Sequence, residues 1–524
     1  MILDTNAISA MSHEDKEIEM AVQESVQLYL SDTVLGEYQY GLINSQHQKS
    51  LGAWLDQLKL SWPVLTLDVI TAHHYTEIRN QLRKKGRMIP VNDLWIAALA
   101  IEHQQPILSE DRHFDYVDGI KRIGWKKMTS SLQHRRGIII FLGFLTALGP
   151  LTLDMYLPAF LGIARDLHTT TALLAMTLSS DFIGIALGQL CYGPLLDRFG
   201  RKKPLYIGLF IYLIASLSCM TSRHLEQMIF WRFVVGAGGC VAGIVSFASV
   251  RDFFEPEERA KIFSIIILVM GVSPLFAPSL GNILTLVFGW QAIFLMLAII
   301  SFFLILGARF LLPSKVLPDQ NVRLSPWGIL KDYQQIATAP CFYIYGLCGA
   351  CSFAALFAYV SGSPQLFLNF FHVSTTTFSW IFTLIAAGFI SVSQLNIWLL
   401  KFFKSVSILR GTLFFQAGMA LLFLSMFLIN QLSLMMASSL LFFLMASVNI
   451  VFSNSNVLAI APFGTNTGRA SALIGFSQMF LGAISSMSVS ILGEKNLLFV
   501  PLIILIASSL ALGILIFGRG QRTI

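Results

Sequence analysis

The sequence predicts a mostly all-α membrane protein, a bundle of twelve helices arranged six and six, preceded by a small soluble α/β domain with a parallel sheet. Hydrophobic residues make up 55% of the 524 residues and charged residues only 12%, which is outside the usual range for a soluble chain. Residues 1–125 carry about 22% charged side chains, whereas residues 126–524 carry about 9%. A soluble domain therefore precedes a membrane domain. The net charge of +7 reflects Lys and Arg that flank membrane segments more than a nucleic-acid-binding patch.

The soluble domain, residues 1–125, alternates short apolar runs such as "MILD", "PVLTLD" and "QPILSED" with amphipathic stretches. This alternation favours a small α/β fold with parallel strands. Four acids stand at the predicted ends of elements: Asp4, Glu37, Asp93 and Asp111. Each acid could instead have a purely structural role. Asp93 could cap the helix that follows, as Asp68 is expected to do for its own helix, and Asp4 could simply end a strand. Glu110 beside Asp111 leaves the last acid ambiguous.

The order of these four acids resembles that of the PIN-domain ribonucleases typified by VapC toxins. The resemblance implies that Asp4, Glu37, Asp93 and Asp111 are catalytic and hold Mg²⁺, which activates a water molecule against an RNA phosphodiester. Thr5, Asn6 and Ser109 would then hydrogen-bond to these acids. RNA and an antitoxin-like protein are the partners that the resemblance implies. The basic run 83–87, "RKKGR", either follows RNA phosphates or is a solvated helix end.

Residues 126–137 form a basic linker, and apolar segments long enough to cross a ~30 Å hydrocarbon core follow it. We predict about twelve membrane segments, near residues 138–161, 172–195, 204–222, 226–250, 260–286, 290–312, 341–362, 376–400, 409–429, 432–454, 470–492 and 497–518. The Pro-rich, charged segment 313–340 separates a first half, 138–312, from a second half, 341–518. This division is typical of a transporter built from repeats.

The positive charges predict the orientation of the segments. With an internal N-terminus, most Lys and Arg residues of the loops fall on the internal side, and about three (Arg165, Arg223 and Lys495) fall outside. No export signal precedes the soluble domain. We therefore expect a multi-pass protein of the inner membrane with both termini in the cytoplasm.

The loop after the second segment reads "GPLLDRFGRKK", residues 193–203. Gly193 permits close approach of helices, Asp197 can cap the next helix, and the basic residues suit a cytoplasmic loop. The order of five residues makes this pattern more specific than a charge cluster: Gly193, Asp197, Arg198, Gly200 and Arg201.

This loop resembles the loop motif of the major facilitator superfamily. The resemblance continues through "LGPLTLDMYLPAF" (148–160), "WRFVVGAGGCVAG" (231–243), "GVSPLFAPSLGNILTLVFGWQAIF" (271–294) and "GRASALIGFSQMFLGA" (468–483). Together these segments resemble the drug/proton antiporters of the bicyclomycin and chloramphenicol resistance (Bcr/CflA) type. The resemblance implies proton-coupled efflux of small apolar or amphipathic drug-like compounds across the bacterial inner membrane.

Three ionisable side chains lie inside the first half: Asp154, Asp181 and Arg232. A charge in hydrocarbon costs about 2.5–3.5 kcal/mol or more unless it faces a cavity or a partner. At ~1.5 Å per residue, all three fall ~9–14 Å below the outer surface, so we expect them to meet and to exchange protons. The alternatives are that Arg232 reaches the outer headgroups, that Asp181 lies at the outer interface, and that Asp154 has a structural role.

The fifth segment contains Gly271, Pro274, Pro278 and Gly281, which predict a bend and a small surface against a neighbour from the second half. The family resemblance implies that this pattern marks antiporters. Two other functions stay open. One is a membrane-tethered ribonuclease toxin whose helices serve as an anchor, and the other is an uptake carrier of the facilitator type.

Overall fold

The computed structural model describes residues 1–12, 18, 22, 27–43, 48–125, 128–254, 256–312 and 326–518. The chain forms two compact units, Met1–Arg135 and Arg136–Ile524. Lys126 and Lys127 of the predicted basic linker and residues 313–325 of the predicted central linker lie outside the described residues. We call the two parts the soluble unit and the membrane unit.

The soluble unit is built on short parallel strands, as the sequence predicts. β1 (Ile2–Leu3), β4 (Ile107–Leu108) and β5 (Arg122–Ile123) form one sheet in the order β1-β4-β5, and β2 (Leu30–Ser31) pairs with β3 (Val64–Leu65). A parallel bridge between Ile2 and Tyr29 connects the two sheets. β1, β2 and β4 are buried, whereas β3 and β5 are partly exposed. Because the pairing is parallel, the carboxyl ends of the strands in each sheet share one edge.

Helices cover both sheets. The described helices are α1 (Thr5–Ser12), α2 (Asp32–Ile43), α3 (Gln48–Ser61), α4 (Val69–Lys84) and α5 (Val91–Glu102). Asp68 caps α4 as predicted, because its carboxylate accepts hydrogen bonds from the amides of Ile70 and Thr71. Pro90, however, is the N-cap of α5, and Asp93 lies in the first turn of this helix. Asp93 therefore does not cap α5, which was the structural role considered for it.

The membrane unit contains twelve helices long and apolar enough to cross a membrane within the part of the chain that the structure describes, which confirms the predicted number. We number them as spans 1 to 12: Arg136–Asp166, Thr171–Leu196, Lys202–Met220, Leu225–Phe253, Lys261–Phe288, Gln291–Leu311, Phe342–Phe370, Thr375–Leu399, Ser405–Leu428, Leu434–Phe463, Gly468–Gly493 and Phe499–Phe517.

Several spans extend past the apolar segments that the sequence predicts. Span 10 continues to Phe463, beyond the predicted end at residue 454, because its polar residues have partners inside the unit. Asn454 donates a hydrogen bond to the Asn396 side-chain oxygen over 2.8 Å. Within the predicted linker, Pro326–Ala337 forms a helix whose Tyr333 hydroxyl donates to the Leu190 carbonyl over 3.2 Å. A prediction from hydrophobicity alone therefore misses helical residues whose polar side chains have partners inside the protein.

Glycines permit a close helix crossing in the first half. A Cβ on Gly184 of span 2 would lie 2.2 Å from the Phe233 carbonyl oxygen of span 4. A Cβ on Gly236 of span 4 would lie 2.1 Å from the Asp181 carbonyl oxygen. The two backbones therefore touch, which small residues permit in membrane helices.

We expect Gly236→Ala to destabilise the membrane unit, because the added methyl group would overlap the backbone of span 2. Overpacking of this kind costs about 1–3 kcal/mol. The matched control is Gly243→Ala, seven residues further along the same helix, where a Cβ would meet nothing within 4 Å. Thermal unfolding of the two variants in detergent checks this prediction. Equal midpoints would show that the backbones of spans 2 and 4 do not touch in the protein.

Candidate functional site

The four predicted acids of the soluble unit converge at the carboxyl edge of the strands. Asp4 follows β1, and Asp111 follows β4. Glu37 and Asp93 approach from α2 and from the first turn of α5. The pKa of Asp4 is raised to about 6, mainly by burial and in smaller part by the charges of Asp93 and Asp111. Burial raises the pKa of Asp93 too, with contributions from Asp111 and Glu37. Each acid therefore lies within electrostatic reach of others in the group.

Neighbouring side chains hold these acids in place. The Thr5 hydroxyl donates to Glu37 Oε2 over 2.5 Å, and the Ser109 hydroxyl donates to Asp4 Oδ2 over 2.6 Å. Asn6 Nδ2 donates in turn to Ser109 Oγ over 3.0 Å. Thr5 and Ser109 thus hydrogen-bond directly to the acids, whereas Asn6 bonds to Ser109 and not to an acid.

The ambiguity between the two adjacent acids after β4 is settled by their contacts. Glu110 Oε1 accepts a hydrogen bond from the Trp125 amide over 2.8 Å. Asp111 lies against Asp93 and His113, and atoms of these three residues fall within 4.8 Å of one another. Asp111, and not Glu110, therefore belongs to the acidic site.

Two residues at the acidic site escaped the sequence analysis. His113 Nδ1 lies 3.2 Å from Asp93 Oδ2 and 3.1 Å from Asp111 Oδ1. The Asn92 side chain donates a hydrogen bond to Glu37 Oε1. His113 could have been found from its position two residues after Asp111, because the short turn Arg112–Tyr116 brings its side chain back toward the acids.

The donors of this site fit a hard divalent cation such as Mg²⁺. Four carboxylates supply the oxygen ligands that Mg²⁺ prefers. The raised pKa of Asp4 shows that burial and neighbouring acids disfavour its charged form, and a cation would offset this cost.

The raised pKa of Asp4 makes the metal-free soluble unit less stable at neutral pH. A folded-state value of about 6 against an ordinary 3.8 means that ionised Asp4 costs folding free energy above pH 6. The cost is ~3 kcal/mol and disappears as pH falls below the ordinary value.

We expect the urea midpoint of the soluble unit, measured by pulse proteolysis of the full chain in chelator, to rise between pH 7.5 and pH 5. Asp4→Asn should raise the midpoint at pH 7.5 and weaken this pH dependence. Asp56→Asn, an exposed acid paired with Lys59, is the control. A wild-type midpoint that falls toward pH 5 would contradict the expectation.

In the membrane unit, Asp181 and Arg232 form a buried ion pair. Arg232 Nη2 lies 3.4 Å from Asp181 Oδ2, and both side chains are almost completely buried. The crossing of spans 2 and 4 at Gly184 and Gly236 brings the two residues to one level. Both side chains are covered by protein, so Arg232 does not extend to the surface of the unit, as reaching the outer headgroups would require.

Span 1 completes the surroundings of Arg232. Its Nη1 donates to the Thr152 carbonyl over 3.4 Å, and its Cζ lies 4.8 Å from the centre of the Tyr156 ring. A cation over an aromatic face in a desolvated site is stabilised by about 2 kcal/mol. Arg232 is therefore held between spans 1, 2 and 4.

Asp154 does not join this pair, although the sequence analysis expected the three charges to meet. It is buried, and within the described residues it makes no hydrogen bond or ion pair. Depth along a helix fixes the level of a side chain but not the direction in which it points, which explains the difference.

The predicted loop motif lies between spans 2 and 3. Gly200, with φ of +75°, ends the helix Met176–Phe199 in a conformation that favours glycine. Arg201 Nε lies 2.7 Å from Asp252 Oδ2 at the end of span 4, a partner that the sequence analysis missed. Gly193 lies near the Tyr333 hydroxyl, Arg198 is half-buried, and the Asp197 side chain lies outside the described residues. The loop therefore joins spans 2, 3 and 4.

The predicted motif of span 5 contacts both halves. Pro274 and Pro278 lie inside its helix. A Cβ on Gly281 would lie 2.1 Å from the Met155 carbonyl oxygen, next to Asp154, whereas Gly271 meets only Ile390 of span 8 at 3.6 Å. The small surface at Gly281 thus lets span 5 pack on span 1 beside the unpaired acid.

Hydrogen bonds between the two halves lie toward the face where spans 2 and 8 begin. Six such bonds are Thr171–Asn369, Ala172–Ser490, Ser179–Ser486, Asn282–Thr376, Pro278–Ser379 and Leu275–Thr383. They join span 2 to spans 7 and 11, and span 5 to span 8. The halves are therefore tied together at that face, which is opposite to the face where span 1 begins.

Twelve spans in two joined halves, with buried charges in the first half, define a polytopic membrane transporter. The family model for the Major Facilitator Superfamily matches residues 142–487, and the chain belongs to this family. The family model for the PIN domain matches residues 1–120.

Relatives and a solved structure agree with this assignment. The chain is 32% identical over 362 residues to the "Uncharacterized MFS-type transporter YdgK" of Bacillus subtilis (strain 168), covering 68% of this chain and 90% of that protein. It is 29% identical over 348 residues to the "Bicyclomycin resistance protein homolog" of Haemophilus influenzae, covering 66% and 87%. It is 27% identical over 361 residues to the "Multidrug resistance protein MdtL" of Salmonella paratyphi A, covering 67% and 87%.

The fold of the membrane unit is similar to that in the crystal structure of a D-xylose-proton symporter. The TM-score is 0.61 at 13% identity, over 74% of this chain and 100% of that chain. At this identity the likeness shows the fold alone.

Proposed function

We propose that the membrane unit is a proton-coupled antiporter of the Bcr/CflA type that exports small apolar or amphipathic drug-like compounds. The names of two relatives, which concern bicyclomycin and multidrug resistance, support the substrate class. The proposed location is the bacterial inner membrane with both termini in the cytoplasm, on the strength of the loop charges.

The observation that carries this proposal is the unpaired Asp154 carboxyl. An ionised carboxylate in apolar surroundings is costly unless it has a partner, and the nearby guanidinium of Arg232 is already paired with Asp181. Binding a proton removes the charge of Asp154, and releasing the proton restores it. Because Asp154 lies beside the contact of span 1 with span 5, and span 5 is hydrogen-bonded to span 8 of the second half, its charge can bias how the halves meet.

In this mechanism Asp181 and Arg232 have a different role from Asp154. Their ion pair stays closed inside the first half and fixes spans 2 and 4 against span 1. Asp181 thereby keeps the guanidinium from neutralising Asp154, and the proton is exchanged at Asp154 alone. The Arg201–Asp252 pair links the loop after span 2 to span 4, so these helices move as one body.

We expect Asp154→Asn to abolish proton-driven efflux while the protein stays folded, because the amide has nearly the volume of the carboxyl but binds no proton. Dye efflux in energised inverted vesicles measures this, together with dye binding to the purified variant. Glu494→Gln, which changes an exposed acid after span 11, should transport like the wild type. Undiminished pH-driven transport by Asp154→Asn would remove this residue from the mechanism.

We further propose that the soluble unit is a Mg²⁺-dependent endoribonuclease, with Asp4, Glu37, Asp93 and Asp111 as catalytic metal ligands. The convergence of these four acids at one sheet edge supports this second function. Bound Mg²⁺ would supply an activated water molecule and stabilise charge on the phosphate. Thr5 and Ser109 orient the carboxylates of Glu37 and Asp4. RNA is the proposed substrate, and an antitoxin-like protein is the proposed partner that silences the unit.

We expect the purified full chain to cleave RNA only with Mg²⁺ or Mn²⁺, because clustered carboxylates need the cation. Asp93→Asn should abolish cleavage, since it removes one ligand and leaves the fold intact. A gel assay on labelled RNA follows the reaction, and Asp56→Asn serves as the unchanged control. Equal cleavage in chelator, or full activity of Asp93→Asn, would show that these acids do not hold a catalytic metal.

The two other functions have less support. A ribonuclease toxin that is merely anchored needs one span, whereas this chain has twelve with charges buried between them. An uptake carrier would have no need of the proline and glycine pattern of span 5, which the family resemblance connects with antiport.

A further inference from the structure

His113 lies at the position of a metal ligand in the acidic site of the soluble unit. Its Nδ1 is 3.2 Å from Asp93 Oδ2 and 3.1 Å from Asp111 Oδ1. Adjacent ligands of an octahedral ion lie about 3 Å apart when each bond is ~2.1–2.2 Å long, so both distances equal the edges of one coordination shell. The three atoms also lie within 4.8 Å of one another, which one ion can span.

The local fold holds the imidazole at this place. The Asp111 side chain caps the short turn Arg112–Tyr116 by accepting from the His113 amide over 2.9 Å. Asp111 is fixed in turn because its own amide donates to Ser109 Oγ over 2.9 Å. Ser109 also bonds Asp4, so a single hydrogen-bonded chain joins the position of His113 to the acids. The His113 side chain is 43% exposed, which leaves room for a cation and its water ligands beside it.

A nitrogen ligand changes which cation the site prefers. Carboxylates suit Mg²⁺ and Mn²⁺ alike, whereas imidazole favours transition metals over Mg²⁺. We propose that His113 is a ligand of the metal site and makes it bind divalent transition cations such as Mn²⁺ more tightly than Mg²⁺. This inference rests on the proposed metal site and adds to it the choice of metal.

The experiment uses the full chain in detergent, freed of metal by chelation, and measures binding rather than cleavage. Mn²⁺ is titrated by electron paramagnetic resonance, and Mg²⁺ affinity is obtained by competition against it. In the wild type, pulsed spectra should show coupling of a ¹⁴N nucleus to bound Mn²⁺. In His113→Asn this coupling should disappear, Mn²⁺ affinity should fall ~10–100-fold, and Mg²⁺ affinity should change little.

His103→Asn is the matched control, because His103 is also partly exposed on the soluble unit but lies at the far end of α5. It should keep both the ¹⁴N coupling and the Mn²⁺ affinity. Absence of ¹⁴N coupling in the wild type, or an equal loss of Mn²⁺ and Mg²⁺ in His113→Asn, would overturn the inference and leave His113 as a hydrogen-bond donor to the acids.

The outcome separates this inference from the ribonuclease proposal. Mn²⁺ bound with ¹⁴N coupling to a chain that cuts no RNA would sustain the ligand role and refute the enzyme. RNA cleavage supported equally by both metals, with no ¹⁴N coupling, would sustain the enzyme and refute the ligand role.

Discussion

The backbone contact between spans 2 and 4 at Gly184 and Gly236 is the constraint on which the charge arrangement of the first half depends. It brings Asp181 and Arg232 within 3.4 Å in surroundings where neither charge could remain alone. Breaking a buried ion pair by removing one partner costs about 3–5 kcal/mol, so the pair is locked once the helices have met. Because Arg232 is occupied, Asp154 is left as the buried acid of the first half without an opposite charge among the described residues.

The number of spans and the parallel α/β character of the soluble unit could be predicted because both depend on summed hydrophobicity and periodicity. The ends of spans could not. Composition alone would end span 10 at Asn454, yet the helix continues. The Asn454 amide donates to the Asn396 side-chain oxygen, so burying this polar group in the membrane costs little free energy. Residues 326–337 were interpreted as linker, yet Tyr333 anchors them as a helix against span 2.

The acidic site was more predictable than the buried charges of the membrane unit. Asp4 and Asp111 follow strands, and parallel strands bring their carboxyl ends to one edge whatever else the fold does. The pairing of Asp181 with Arg232, without Asp154, depends on which way each helix is turned, and that is set by glycine contacts spread over three spans. His113 and Asp252 were missed because a single residue without a periodic pattern carries no signal until its neighbours in space are known.

The two units differ in how the negative charge of their buried acids is compensated. In the soluble unit, burial and the charges of Asp93 and Asp111 raise the pKa of Asp4, and both of these neighbours are partly exposed, so that a cation from solvent could reach the acids. In the membrane unit, Asp181 is paired with Arg232, whereas Asp154 has no such partner among the described residues, and in the proposed mechanism a proton neutralises it. An arginine beside the soluble acids would compete with a metal, and an arginine free to reach Asp154 would compete with a proton. Selective pairing of Arg232 therefore matters as much to the proposed transport cycle as the acid itself.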